Sequence, residues 1–446
     1  MARFENAGTS PRNYGSIDVA EGIFSGEGTL QSLMDVEAAL ALAEAEAGVI
    51  PVEAAEEISR KAKVSFLNEE TYEKHRRATG HSLMGLIRSY QEVCENGAGQ
   101  YVHFGTTTQD VTDTALALQM KAVYDLVERK METVIGLIRE LAVKYRSLIM
   151  IGRTNDQQAV PITLGYKLAM WLDELERDLE RLKASRRRVL VGQFGGAVGT
   201  MASLGGAGLA VRDNMMVRLG LEIPKIAWYN SRDRHTEYVT TLAMICGTLG
   251  KLGNEVYIGQ KTEVNEMAEG FSPDKVGSST MPHKRNPFVP ARLSGFGRMA
   301  RSIVVDAYTV MESTNERDTR SLRMEPYFME RISSLTDAAL DTAIDLFTYI
   351  EIREKSFEKN LNILGGLIYT EALMMHFANK FGRIEAHDIL HDIAQEAVAE
   401  GKNFVDKLLE NAKVMENFTK EELLSLMNPA KYIGLSEHFT DVVTRK

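Results

Sequence analysis

Cysteine is nearly absent from this chain: Cys94 and Cys246 are the only two in 446 residues, and they lie far apart. Neither a disulfide framework nor a cysteine-based zinc site can be built from them, so both are expected to be reduced structural thiols. No apolar run approaches the roughly eighteen residues of a membrane span. The N-terminal MARFENAGTSPRNYG has no apolar core of a secretory leader. A cytoplasmic protein with no membrane partner is expected. A basic face is also missing. Net charge is −10, and Arg186-Arg187-Arg188 is the one tight cationic cluster. It ends a helical stretch rich in both signs, so it reads as a solvated helix end and no nucleic-acid partner is expected. Disorder is excluded by composition, at 44% hydrophobic and 26% charged residues.

Helical periodicity is what the chain has in abundance. From Asp110 to about Ser147, Leu116, Met120, Val123, Val127, Met131, Val134, Ile138 and Leu141 recur at helix spacing. A second long helix is expected from Pro161, a good first-turn residue, to about Arg188. Within it Leu168, Leu172, Leu175, Leu179 and Leu182 alternate steps of four and three, a bundle seam. Further long helices are expected over 233–269 and 290–316. At about 1.5 Å per residue these are rods of roughly 40–55 Å, too long for one compact core, so they must bury their stripes side by side. The expectation is an all-α fold: an N-terminal helical cap over 1–108, a long-helix bundle over 109–354, and a C-terminal helical cap over 355–446. The glycine-rich segment 192–206 lacks the strand–GxGxxG–helix context of a dinucleotide site.

Chemistry concentrates in the loop 271–287, above all in Gly277-Ser278-Ser279-Thr280-Met281-Pro282-His283-Lys284-Arg285-Asn286-Pro287. Hydroxyls, two cations and a carboxamide within ten residues suit a carboxylate ligand. A serine hydroxyl can serve as a base only if oriented N–H donors and a nearby cation stabilise its alkoxide. Without such help the same loop is a solvated basic turn.

This segment resembles the GSSxMPxKxNP loop of the fumarase/aspartase superfamily, and in its SSTMPHKRNP form the adenylosuccinate lyase and 3-carboxymuconate cycloisomerase branches. His103-Phe104-Gly105-Thr106-Thr107-Thr108-Gln109-Asp110 is similar to the family's HxGxTSxD segment, an anion site at a helix entry. Arg232-Asp233-Arg234-His235 resembles its RDRHxxY element. The similarity extends from Ile23-Phe24-Ser25 to Gly366-Leu367-Ile368-Tyr369, nearly the whole chain. The resemblance implies a homotetramer with a core of long helices and active sites assembled from three subunits. It also implies cofactor-free and metal-free chemistry on a small dicarboxylate. Ser278 would be the base, and Lys284 and Asn286 would hold the carboxylate, with Ser279, Thr106, Thr107, Arg234 and Gln158 as further substrate-binding residues.

Two departures matter. The adenylosuccinate lyases resemble one another at RTHGxxAxP, where a histidine is the general acid; this chain has Asn155 there, followed by Asp156. The arginine expected after Glu325 for a nucleotide phosphate is Pro326. An amine must be protonated to depart, whereas a thiolate, from a thiol of pKa about 8.5, leaves with little help. His81 and Asp156 are the candidates to assist the leaving group. The leading expectation is a lyase that cleaves a C–N or C–S bond of a succinyl compound and releases fumarate. Carboxymuconate cycloisomerisation, adenylosuccinate cleavage and a non-catalytic structural relative are the alternatives.

Overall fold

The structure is a computed structural model, and it describes residues 19–271, 278 and 280–445. It is helical almost throughout, and no helix among the described residues is long and apolar enough to cross a membrane. Five helices dominate: Thr108–Lys144, Leu164–Val189, Asp233–Gly259, Phe288–Thr309 and Thr319–Thr348. The chain divides into two compact units, one of residues 1–132, 178–250 and 295–341, the other of residues 133–177, 251–294 and 342–446.

In the first unit most of the expected stripe is buried: Met120, Val123 and Val127 are inaccessible, and Leu116 is half-buried. Tyrosines cross this apolar interior, and each finds a partner for its hydroxyl, as a buried polar tip requires. Tyr124 stacks on Tyr238 with ring centroids 5.2 Å apart. Its hydroxyl lies 3.0 Å from Ser185 Oγ, and that of Tyr238 lies 2.7 Å from Ser333 Oγ. Close helix approach depends on glycine at Gly297, where a Cβ would sit 2.6 Å from the Cys246 carbonyl. The cationic cluster is paired, with Arg186 on Asp125 and Glu128 and Arg188 on Glu237. Burial pushes the Cys94 thiol up to about 11 and the Cys246 thiol up to about 12, so both stay protonated and unreactive at neutral pH.

The second unit holds a core of Ile151, Leu361, Ile368, Leu373, Phe377, Leu390, Phe404 and Phe418. Phe377 and Phe418 stack at 4.4 Å. It also contains an antiparallel hairpin that helical periodicity did not reveal, β1 (Ile149–Thr154) with β2 (Gln157–Thr163). Its two-residue turn is Asn155-Asp156, with φ of +50° and +63°. Asparagine and aspartate tolerate that left-handed geometry, which matches the strand twist of a tight hairpin.

The long-helix boundaries shift for physical reasons. Pro161 does not open a helix. It lies in β2 opposite Ile151, beside a register irregularity, where a residue without an N–H is tolerated, and the helix begins at Leu164. The helix from Asp233 ends at Gly259 rather than near 269, because Met267–Ala268 (β3) pair with Glu351–Ile352 (β4). The next helix spans Phe288–Thr309, ending before Asn315, which has φ +54°. The Thr319–Thr348 helix carries Pro326 within it.

Because Asn155 sits at positive φ, Asn155→Val should cost about 1–2 kcal/mol, whereas Asn155→Gly should be close to neutral. Thermal unfolding of the two variants checks this; equal melting temperatures would show that the turn geometry is not a constraint.

Candidate functional site

Polar groups that apolar packing would exclude collect in two places, one in each unit. In the first unit, the turn ahead of the Thr108–Lys144 helix folds over Asp110. The Asp110 carboxylate accepts from the Thr106 hydroxyl (3.1 Å), the Thr107 N–H (3.1 Å) and the Gly196 N–H (2.9 Å). The Tyr229 hydroxyl lies 2.6 Å from it and 2.7 Å from the Gly196 carbonyl. Burial raises the Asp110 carboxyl although these donors pull it down. The hydroxyl of Thr107 is thereby presented at a helix N-terminus, and the Arg317 guanidinium donates to it at 3.2 Å. Arg317 also donates to the Ala197 carbonyl and lies over the Tyr229 ring, 5.0 Å from its centroid. No carboxylate answers its charge among the described residues, and its Nε is buried without a partner. A helix N-terminus, a hydroxyl and an uncompensated guanidinium together suit an anion.

Beneath this turn lies a cluster of acids. Glu37 and Glu44, seven residues apart on the Gly26–Glu46 helix, are both buried. Glu37 accepts from His103 Nδ1 at 2.7 Å. Burial opposes the imidazolium, but the Glu37 carboxylate holds His103 above its usual range. Neither oxygen of Glu44 has a partner, and burial, with Glu37 close by, pushes its carboxyl up to about 8.

Arg232 is fully buried in the same unit. It is paired with Asp113 at 2.9 Å and with Glu325 through its Nε at 2.6 Å. His235 Nδ1 lies 3.0 Å from the same Glu325 carboxylate. Burial opposes the Glu325 charge, but His235 and Arg232 hold its carboxyl well below the usual carboxylate range. Arg234, the neighbouring predicted ligand, is half-buried, packed over Trp228 with its centroid 5.2 Å away, and burial lowers its pKa. His81 precedes the Ser82–Val93 helix without capping it through its side chain, and its Nδ1 is buried with no partner.

In the second unit the hairpin is anchored by charge. Arg153 reaches Glu266 through two bonds of 2.9 and 2.7 Å, and Asn360 donates to Glu266 at 2.7 Å. Gln158 donates to the Asn360 carbonyl at 3.1 Å and leaves its Oε1 buried and unpartnered. Asn155 and Asp156 are exposed at the hairpin tip. In the loop, Ser278 Oγ faces two backbone donors, the N–H of Met281 at 3.1 Å and that of Thr280 at 3.3 Å. Such donors stabilise an oxyanion at Oγ. The ammonium of Lys284 and the carboxamide of Asn286 have no hydrogen-bond partner among the described residues. Ser279 lies outside the described residues.

The structure thus gathers Thr106 and Thr107 with Arg317, and keeps Ser278, Lys284 and Asn286 on one loop. Arg317 and the Glu37–His103–Glu44 cluster escaped the sequence reading. The acids were marked, however, by two glutamates at helical spacing inside the otherwise apolar run from Val36 to Ala45. Among the described residues no group of three or more His, Cys, Asp or Glu is set to hold a metal ion.

Residues 12–300 match the lyase family and residues 366–443 the adenylosuccinate lyase C-terminus, and the chain belongs to the fumarase/aspartase superfamily of enzymes. Within it the chain falls in the adenylosuccinate lyase and carboxymuconate cycloisomerase branch. It is 39% identical to the adenylosuccinate lyase of Methanocaldococcus jannaschii, over 97% of this chain and 94% of that one. It is equally 39% identical to the N-acetyl-S-(2-succino)cysteine lyase of Dickeya dadantii, over 97% and 95%. The 3-carboxy-cis,cis-muconate lactonizing enzyme of Pseudomonas putida superposes with a TM-score of 0.90 at 32% identity, covering 100% of this chain and 98% of that one.

The neutral Glu44 has a consequence for stability. Its folded pKa of about 8 exceeds the ordinary 4.5, so between these values the folded chain keeps a proton that the unfolded chain has lost. Stability therefore falls as pH rises through that window and levels off above it. Glu44→Gln removes this fall, and its stability advantage should grow by on the order of 2–5 kcal/mol from pH 5 to pH 8. Melting temperatures of both proteins across that range check it; parallel curves would show that Glu44 is ionised.

Proposed function

We propose that the chain is a β-eliminating lyase that releases fumarate from a succinyl-substituted small molecule. The observation that carries this reading is Ser278 Oγ facing two backbone N–H donors, in a loop that also holds Lys284 and Asn286. A serine alkoxide is otherwise too basic to form, and these donors lower its cost. Ser278 takes the proton from the carbon beside the carboxylate. Lys284 and Asn286 hold that carboxylate as it gains charge, and in a site shared among subunits Thr107, with Arg317, holds the second one. The electron pair left on the carbon then forms the double bond of fumarate and expels the leaving group.

A C–S bond is favoured over C–N. The position where the adenylosuccinate lyases resemble one another in a histidine is Asn155, which cannot deliver a proton, and a thiolate needs none. The likeness to a succinocysteine lyase supports this choice, and Pro326 in place of an arginine weighs against a nucleotide phosphate. Asp156 or His81 would assist a more basic leaving group. The scheme draws on the chain's own groups.

Purified protein should release fumarate, followed by its ultraviolet absorbance, from S-(2-succinyl)cysteine compounds and not from adenylosuccinate or argininosuccinate. Ser278→Ala should lower kcat about 10²–10⁴-fold. Turnover of carboxymuconate alone would move the chain to the cycloisomerases, and silence with every succinyl compound would refute the lyase reading. A homotetramer with sites shared among three subunits belongs to the same proposal. It is supported by apolar residues left exposed on the long helices, among them Met244, Val305, Tyr308 and Tyr327. Light scattering should give four times the 49.7 kDa chain mass; a monomer would rule it out.

A further inference from the structure

Both ends of the loop that carries Ser278 are tied to the second unit by side chains outside the family's motif. On the entering side, the Phe271 N–H donates to Glu351 Oε1 at 3.2 Å. On the leaving side, the Val289 N–H donates to Glu269 Oε2 at 2.6 Å. The Arg285 guanidinium lies 3.7 Å above the Phe271 ring centroid and 3.9 Å from Glu351. A carboxamide also joins the two sides. Gln260, just beyond the Asp233–Gly259 helix, accepts the Glu269 N–H on its Oε1 at 3.0 Å and donates from its Nε2 to the Arg285 carbonyl at 3.1 Å. That carbonyl lies between Lys284 and Asn286.

We propose that Gln260 is a positioning residue, whose carboxamide sets the backbone between Lys284 and Asn286 against the chain entering the loop. Both bonds require a group that accepts at one atom and donates at the other, which a carboxamide does. A carboxylate only accepts, and a hydrocarbon does neither. The role rests on the lyase reading of Lys284 and Asn286. Groups that grip the transition state more tightly than the substrate lose kcat rather than KM when displaced.

Gln260→Leu and Gln260→Glu separate the two bonds. In Gln260→Leu the Glu269 amide and the hydrogen-bonded amides of Lys284 and Phe288 should exchange hydrogen faster. In Gln260→Glu the Glu269 amide should stay protected while 284–288 loosens. Both variants should melt near wild type and lose about 10–100-fold in kcat, with KM moving less than about threefold. Unchanged exchange in Gln260→Leu would overturn the tie. Faster exchange at unchanged kcat, or a change confined to KM, would overturn its positioning role while wild-type turnover upheld the lyase reading. A wild type silent with every substrate would sink the lyase reading and with it the catalytic role of Gln260, leaving exchange to decide whether the tie exists.

Discussion

Arg232 is fully buried, and because a guanidinium does not shed its proton, its charge has to be answered inside the protein. Asp113 and Glu325 answer it, one from the Thr108–Lys144 helix and one from the Thr319–Thr348 helix, while Arg232 itself opens the Asp233–Gly259 helix. Desolvating these charges is costly, and removing one partner would strand the rest without compensation. The cluster therefore sets the register of three helices. It also reaches the turn of Thr106 and Thr107, because Gln109 bonds both Asp113 and the Tyr229 carbonyl, and the Tyr229 hydroxyl meets Asp110, which shapes that turn. Helix packing and ligand geometry in this unit share one hydrogen-bonded network.

The second unit solves a similar problem with a hairpin. Arg153, Glu266 and Asn360 bind β1 to the segment before β3 and to the helix Glu354–Leu361, so the exposed tip has a rigid base. Where the adenylosuccinate lyases resemble one another in a histidine, that tip carries Asn155, in a two-residue turn in which asparagine and aspartate are well accommodated. Asparagine keeps the turn geometry but offers no proton near neutral pH. The same logic applies to Pro326, which stands beside Glu325 without displacing it from Arg232.

Several acids are buried for reasons that packing alone does not supply. Glu37 is matched by His103, whereas Glu44 has no partner and avoids the cost of a buried charge by keeping its proton. A neutral acid under the turn of Thr106 and Thr107 leaves the positive potential of Arg317 and the helix N-terminus uncancelled.

The sequence by itself determined the helical class, the long rods and the reactive loop, because period, length and a contiguous motif are properties of neighbours along the chain. The stripe from Leu116 to Ile138 and the segment from Ser278 to Asn286 could be read in that way. It could not show the hairpin, whose strands are short and whose Pro161 imitates a helix start, nor the end of the third rod at Gly259. Only the tertiary structure decided which polar groups meet. Arg317 comes to Thr107 across 210 residues, Glu266 to Arg153 across 113, and Gln260 to the loop it ties at both ends. A buried charge takes whichever partner the packed helices bring within reach, and that choice depends on distance in space rather than spacing in the chain.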